Sequence, residues 1–160
     1  MHKKIITLLV LTLLNIMSYF VIYQRDDVYS TVLVATVTFV CIYWGKGLSL
    51  LTAAIPVLFI YRGDLLYTAV LLASLAIYLF VFDYFLKLAY KKETNKSLLK
   101  FSVYGISLGV LARITFFGAV VYRWSIEVIA IAVMIDIIGG IVGLFATSFA
   151  SFYYKDWFAE

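Results

Sequence analysis

Apolar residues along this chain come in long unbroken stretches, without the strict alternation of a half-buried strand or the single stripe of a helix resting on a soluble core. Polar and charged residues gather in the short gaps between them. A helix that crosses a bilayer needs about 20 largely apolar residues, within a range near 17 to 25. That length divides the chain into six helices.

The first helix covers about Ile5 to Tyr23 and stops at Gln24-Arg25-Asp26-Asp27. The second runs from about Val28 to Trp44, where Gly45-Lys46-Gly47 makes a tight turn. The third, from about Leu48 to Tyr61, is about 21 Å long at 1.5 Å per residue. That is short for a crossing and Pro56 interrupts it, so a kink or a thin lipid cover is expected. Arg62-Gly63-Asp64 closes it; in a tight loop these letters are ordinary turn chemistry rather than an integrin-binding signal. The fourth helix occupies about Leu65 to Tyr90, and Lys91 to Ser97 is the most polar segment and the one real linker. The fifth helix follows from about Leu98 to Tyr122, and after Arg123-Trp124-Ser125-Ile126-Glu127 the sixth continues to about Tyr154. In the tail, Trp157 and Phe158 suit an interfacial anchor.

Composition agrees with this division. The chain is 65% hydrophobic and 14% charged, with a mean hydropathy of +1.04, which places it among integral membrane proteins. Its short loops leave no room for a soluble domain, so residues 1–160 are read as one all-α, polytopic membrane domain. The net charge of +4 does not point to nucleic acid, because no segment interleaves basic residues with solvent-facing aromatics. It is a topology signal instead, since cytoplasmic loops accumulate lysine and arginine.

With six crossings every lysine falls on one side: Lys3, Lys4, Lys46, Lys87, Lys91, Lys92, Lys96, Lys100 and Lys155. The opposite loops hold Arg25, Arg62 and Arg123, balanced by Asp26, Asp27, Asp64 and Glu127. Both termini are therefore expected in the cytoplasm, with the protein a multi-pass component of the cell membrane. The amino terminus imitates a secretory signal, but no small-x-small cleavage site follows, so it reads as a retained first helix with His2 in its basic flank. Cys41, the sole cysteine, lies inside an apolar run; a packing role is expected, with no disulfide, metal cluster or redox pair.

Two charges break the apolar runs far from their ends, and both lie in the last hairpin: Arg113 and Asp136. Each is about nine residues from the outer end of its helix, so both sit roughly 13 Å below the outer surface and are level. On the fifth helix Ser102, Gly105, Gly109 and Ala112 share a side that Arg113 borders. On the sixth, Asp136, Gly140, Gly143 and Thr147 recur at helical spacing, and Gly139 with Gly143 forms a small-xxx-small pattern. Such faces let helices approach closely in lipid, so both charges are expected to point into protein.

A charge at the membrane centre is costly and either finds a partner or borders a cavity. One reading is that the two merely neutralise each other and fix packing. The other is that they border a pocket open to the outside and grip a polar or ionic solute, for which the planar fork of arginine suits a carboxylate or phosphate. Asp83 lies near the inner end of the fourth helix with Lys87 four residues later, the spacing of an intrahelical ion pair. The outer turns share a loose pattern: Tyr23, Arg25, Asp27; Tyr61, Arg62, Asp64; Tyr122, Arg123, Glu127. These are interfacial tyrosines beside solvated charges, or a polar lid over an outward-facing site. Enzyme signatures are missing: there is one histidine, no Gly-x-Ser-x-Gly turn and no phosphate loop, so neither catalysis nor a cofactor is expected.

The whole plan resembles the substrate-binding S component of an energy-coupling-factor vitamin transporter. The resemblance lies in the helix number, the short third helix, the basic loop before the fifth helix and the glycine-rich last helix. Leu111-Ala112-Arg113-Ile114-Thr115-Phe116-Phe117-Gly118 resembles the fifth helix of several such components, and Asp136-Ile137-Ile138-Gly139-Gly140-Ile141-Val142-Gly143 their sixth. The resemblance implies capture of a vitamin or related micronutrient at the outer half of helices 4 to 6, and docking on a transmembrane coupling subunit with two ATPases. By position it implies Arg113, Asp136, Tyr122, Trp124 and Glu127 for the ligand, with Arg62 and Asp64 in a covering loop. That family's first helix commonly carries an alanine-x-x-x-alanine docking face, whereas Ile5 to Tyr23 holds no alanine or glycine. Two other readings compete: a non-transporting scaffold similar to the rod-shape-determining membrane protein D family, and a small channel or carrier in which Asp136 binds a coupling cation.

Overall fold

A computed structural model gives the backbone of residues 2–21, 26–91, 95–122 and 124–153, and the side chains of all of these but 21, 26–29, 95–97, 121 and 122. The described residues form six α-helices and no strand: α1 (His2–Val21), α2 (Asp26–Trp44), α3 (Lys46–Ile60), α4 (Leu65–Lys91), α5 (Asn95–Phe117) and α6 (Ile126–Tyr153). A π-helical turn, Gly118–Tyr122, extends α5. Four helices, α1, α4, α5 and α6, are long and apolar enough to cross a membrane; α2 and α3 hold the shorter apolar stretches Ser30–Trp44 and Lys46–Ile60.

The element ends differ from the sequence reading where nothing local stops a helix. The expected linker from Lys91 to Ser97 is largely absorbed, because α4 continues through Lys91 and α5 begins at Asn95. No glycine or proline stands there, and adding a residue to an existing helix costs little. Helix α3 likewise runs on through Pro56, which is buried. Between α2 and α3 the chain does need a glycine: Gly45 has φ +84°, a region that side chains with a Cβ rarely adopt. The tail anchor at Trp157 and Phe158, the loop residues Tyr23, Arg25 and Arg123, and the middle of the linker lie outside the described residues.

The last hairpin holds the two buried charges, but it is α2 that stands at the centre of the packing. Leu33, Val34, Val37 and Val40 are all fully buried. Polar side chains pin α2 to its neighbours at each level. Asn15 Nδ2 of α1 donates to Thr36 Oγ1 at 2.9 Å. The hydroxyls of Thr38 and Tyr78 bond α2 to α4 at 2.5 Å. Tyr43 donates to the Thr147 carbonyl of α6 at 2.9 Å, and Ser49 of α3 to the Val37 carbonyl at 2.5 Å. In lipid, where apolar burial gives no net drive between helices, such bonds and close backbone packing hold a bundle together.

The glycine faces do not meet one another, as a hairpin of nestling fifth and sixth helices would require. Gly105 and Gly109 of α5 receive Phe82, Phe85 and Tyr78 of α4; a Cβ on Gly109 would stand 2.8 Å from the Tyr78 ring. Gly139 and Gly143 of α6 lie against the α2 backbone at Thr31 and Ala35, and Gly140 alone receives α5, at Ile106. The small faces of the two helices thus take mainly different neighbours, α4 for α5 and α2 for α6. Accordingly α4 packs most extensively along α5, and α6 along α2.

Two ends of the bundle are chemically distinct. Lys4 lies 5.8 Å from the Trp44 ring, and Lys46 and Lys87 flank Asp83, so the start of α1, the α2–α3 turn and the end of α4 share one end. At the other end the Tyr61 ring lies against Tyr67 and the Phe117 ring against Trp124, bringing together the α3–α4 turn, the π-helical turn and the start of α6.

Candidate functional site

Three helices contribute to a polar knot in the half of the bundle away from the lysines. The guanidinium of Arg113 on α5 donates through Nη1 to Asp136 Oδ2 on α6. Its Nη2 donates to Ser30 Oγ on α2 at 3.0 Å, and Ser30 Oγ in turn donates to Asp136 Oδ1 at 2.9 Å. The pair is buried, with Arg113 2% and Asp136 1% exposed. Closing the ring through Ser30 satisfies both carboxylate oxygens and both terminal nitrogens, which offsets the large cost of removing two ions from water. Arg113 Nε is left with no hydrogen-bond partner among the described residues.

Each side chain reaches this point for a local reason. Gly139 lets α6 approach α2 so closely that a Cβ there would stand 2.5 Å from the Thr31 carbonyl oxygen. Ser30, one residue earlier, is thereby carried to Asp136. On α5, Gly109 sits one turn before Arg113 and seats the helix on Tyr78, leaving Arg113 to face inward between α2 and α6.

A cavity of about 390 Å³ lies beside the knot. Ser30, Arg113 and Asp136 form its polar base, and Leu33, Leu71 and Ile114 its sides. Above them stand Tyr61, Tyr67, Phe117 and Trp124. These rings touch in series: Tyr61 and Tyr67 have centroids 4.6 Å apart, Tyr67 and Phe117 5.4 Å, Phe117 and Trp124 5.6 Å, the last two edge to face. Edge-to-face and offset contacts of this kind hold aromatic walls in place. The π-helical turn positions Trp124, whose backbone N–H donates to the Gly118 carbonyl at 3.1 Å while its indole rests on Gly118. Single π-helical turns recur at functional sites because they re-aim side chains. The rim includes Val128 and Ile131, 44% and 54% exposed.

Of the residues singled out in the sequence, Arg113, Asp136 and Trp124 line this cavity. Arg62, Asp64 and Glu127 are exposed and do not. Asp64 instead caps α4, accepting from the Tyr67 N–H at 2.9 Å. Glu127 stands in the first turn of α6, where an acid complements the helix dipole. The Tyr122 side chain lies outside the described residues. The cavity is also not bounded by the last three helices alone, because α2 supplies Ser30 and Leu33.

Ser30, Tyr61 and Tyr67 were not foreseen as site residues. Tyr61 does stand in the tyrosine–arginine–acid pattern of the outer turns, beside Arg62 and Asp64, which do not line the cavity. Nothing in the sequence separates Ser30 from the other hydroxyls of α2, such as Thr36 and Thr38, which bond elsewhere.

The arginine fork read as a grip for a carboxylate or phosphate already holds Asp136 and Ser30. The inner acid, Asp83, does form the pair expected from its spacing, with Lys87 Nζ at 2.7 Å, and Lys46 joins at 3.4 Å. No protein-family model, curated protein or solved structure matches this chain.

Proposed function

We propose that the chain is the membrane-embedded capture subunit of a micronutrient uptake transporter. In this reading all six helices cross the cell membrane, both termini face the cytoplasm and the cavity opens to the outside. The bound solute is then handed on when the chain docks on a transmembrane coupling subunit driven by ATPases. The observation that carries the reading is the cavity of about 390 Å³, walled by aromatic rings and based on a buried polar knot, at the bundle end opposite the lysines. Its volume lies in the range of small-molecule sites, and convergent polar groups in an otherwise apolar pocket are what such sites use for specificity. The lysine end belongs in the cytoplasm by the positive-inside bias, which turns the cavity outward.

The test is thermal unfolding of the purified protein against a panel of vitamins and related micronutrients. A compound that raises the midpoint for the wild type, and less so for Arg113→Ala, supports capture. No shift with any compound, together with recovery in a stable complex with cell-envelope proteins, would turn the assignment to a scaffold. Uptake by vesicles holding this chain alone would turn it to a carrier.

A further inference from the structure

The charge of the cavity base decides what class of solute it takes. Arg113 and Asp136 are the sole ionisable groups of opposite sign lining the cavity among the described residues, and no other lysine, arginine, aspartate or glutamate joins them. They cancel. Both terminal nitrogens of the guanidinium are engaged, by Asp136 and by Ser30, and both carboxylate oxygens accept a hydrogen bond. The guanidinium keeps N–H donors to spare, Nε among them, but its charge is already cancelled by Asp136, and an anion that took the fork for itself would leave that carboxylate buried with Ser30 alone. Separating the partners of a buried pair is strongly unfavourable, because the abandoned ion cannot be rehydrated. A cation that took Asp136 for itself would strand Arg113 in the same way, and one that merely shared it would find the carboxylate charge already cancelled.

The remaining surface points the same way. The walls are aliphatic and aromatic, and the rim residues Val128 and Ile131 offer an entering ion nothing in exchange for its water. Rings in series at Tyr61, Tyr67, Phe117 and Trp124 instead present edges and faces to a flat molecule. Polar atoms of an uncharged ligand can use the unfilled lone pairs of the Asp136 carboxylate and of Ser30 without breaking the pair.

We infer that the cavity selects an uncharged, ring-bearing molecule and rejects carboxylates and phosphates of the same shape. This rests on the capture reading and gives it a chemical class. Asp136 is the positioning residue behind the selectivity: it occupies the guanidinium that would otherwise hold an anion.

Matched amide and acid probes test the inference: indole-3-acetamide against indole-3-acetate, and 2-naphthamide against 2-naphthoate, by ligand-observed binding to the purified full chain. The wild type is expected to bind the amides at least about 100-fold more tightly than the acids, because an acid either strands a buried partner or gives up its water with no free counter-charge to meet it. Asp136→Asn frees the guanidinium and is expected to reverse the order in favour of the acids. The double variant Arg113→Gln with Asp136→Asn, which keeps an uncharged base should the single variant fail to fold, is expected to retain the amide preference. Acids bound by the wild type as tightly as amides would overturn the selectivity while leaving the capture site standing. No binding of either series by any form would overturn both.

Discussion

Among the described residues are two acid–base clusters, and they are held together in opposite ways. At the lysine end, Asp83 and Lys87 are one turn apart on a single helix, with side chains 15% and 66% exposed, and Lys46 approaches from α3. In the other half, Arg113, Asp136 and Ser30 come from three helices; the two ions are almost completely buried and Ser30 is half-buried. The first cluster is assembled by helical periodicity and shares its charges with water and headgroups. The second exists only because α2, α5 and α6 are brought within hydrogen-bond reach, and its members have nothing else to turn to. Ionic chemistry at a helix end is therefore a local and mild affair here, whereas in the interior it is a property of the packed bundle.

The largest test of that contrast is Arg113→Ala. Leaving Asp136 buried without its cation is expected to destabilise the protein by about 3–5 kcal/mol, read as unfolding in detergent by tryptophan fluorescence. Replacing both partners, as Arg113→Met with Asp136→Leu, removes the stranded charge and is expected to recover most of the loss. A double variant as unstable as the single one would mean that the ion pair itself, not the stranded acid, holds the helices.

Ser30→Ala takes a hydrogen bond from each member of the pair, and bonds to charged groups are worth about 1.5–3 kcal/mol. A loss in that range is expected in the same unfolding assay; no change would show that the pair is complete without α2. Gly139→Ala removes no hydrogen-bonding side chain but forces a Cβ against the Thr31 carbonyl. Overpacking of this kind costs about 1–3 kcal/mol, and by moving α2 it should also weaken ligand binding, so a variant that loses stability yet binds normally would detach Ser30 from the site. The smallest effect belongs to Asp83→Asn. A partly exposed pair contributes at most about 1 kcal/mol and is screened by salt; a loss as large as that of Arg113→Ala would erase the distinction between the two clusters.

Much of this arrangement was legible in one dimension. Apolar run lengths located the six helices, because a helix long enough to lie in lipid must be apolar over most of its length. The Asp83–Lys87 pair followed from a spacing of four, and Arg113 and Asp136 stood out because an ion inside an apolar run is too costly to be incidental. Depth also brings them close, since antiparallel neighbours joined by a short turn set level residues side by side, but it leaves open whether they hold each other or a solute.

What the chain of letters could not carry was the choice of neighbour for each helix face. The glycines of α5 and α6 signalled close approach, but α4 fills the first set and α2 most of the second, because a small face accepts whichever ridge the whole bundle presents. That choice brought Ser30 to the ion pair and occupied the arginine fork. It also left room beside the knot for a cavity that Tyr61, Tyr67 and Trp124 enclose. Length, periodicity and the placement of charge are written locally and can be read from sequence. Partner faces and empty volume arise only when all six helices compete for the same interior, and the tertiary structure alone decides them.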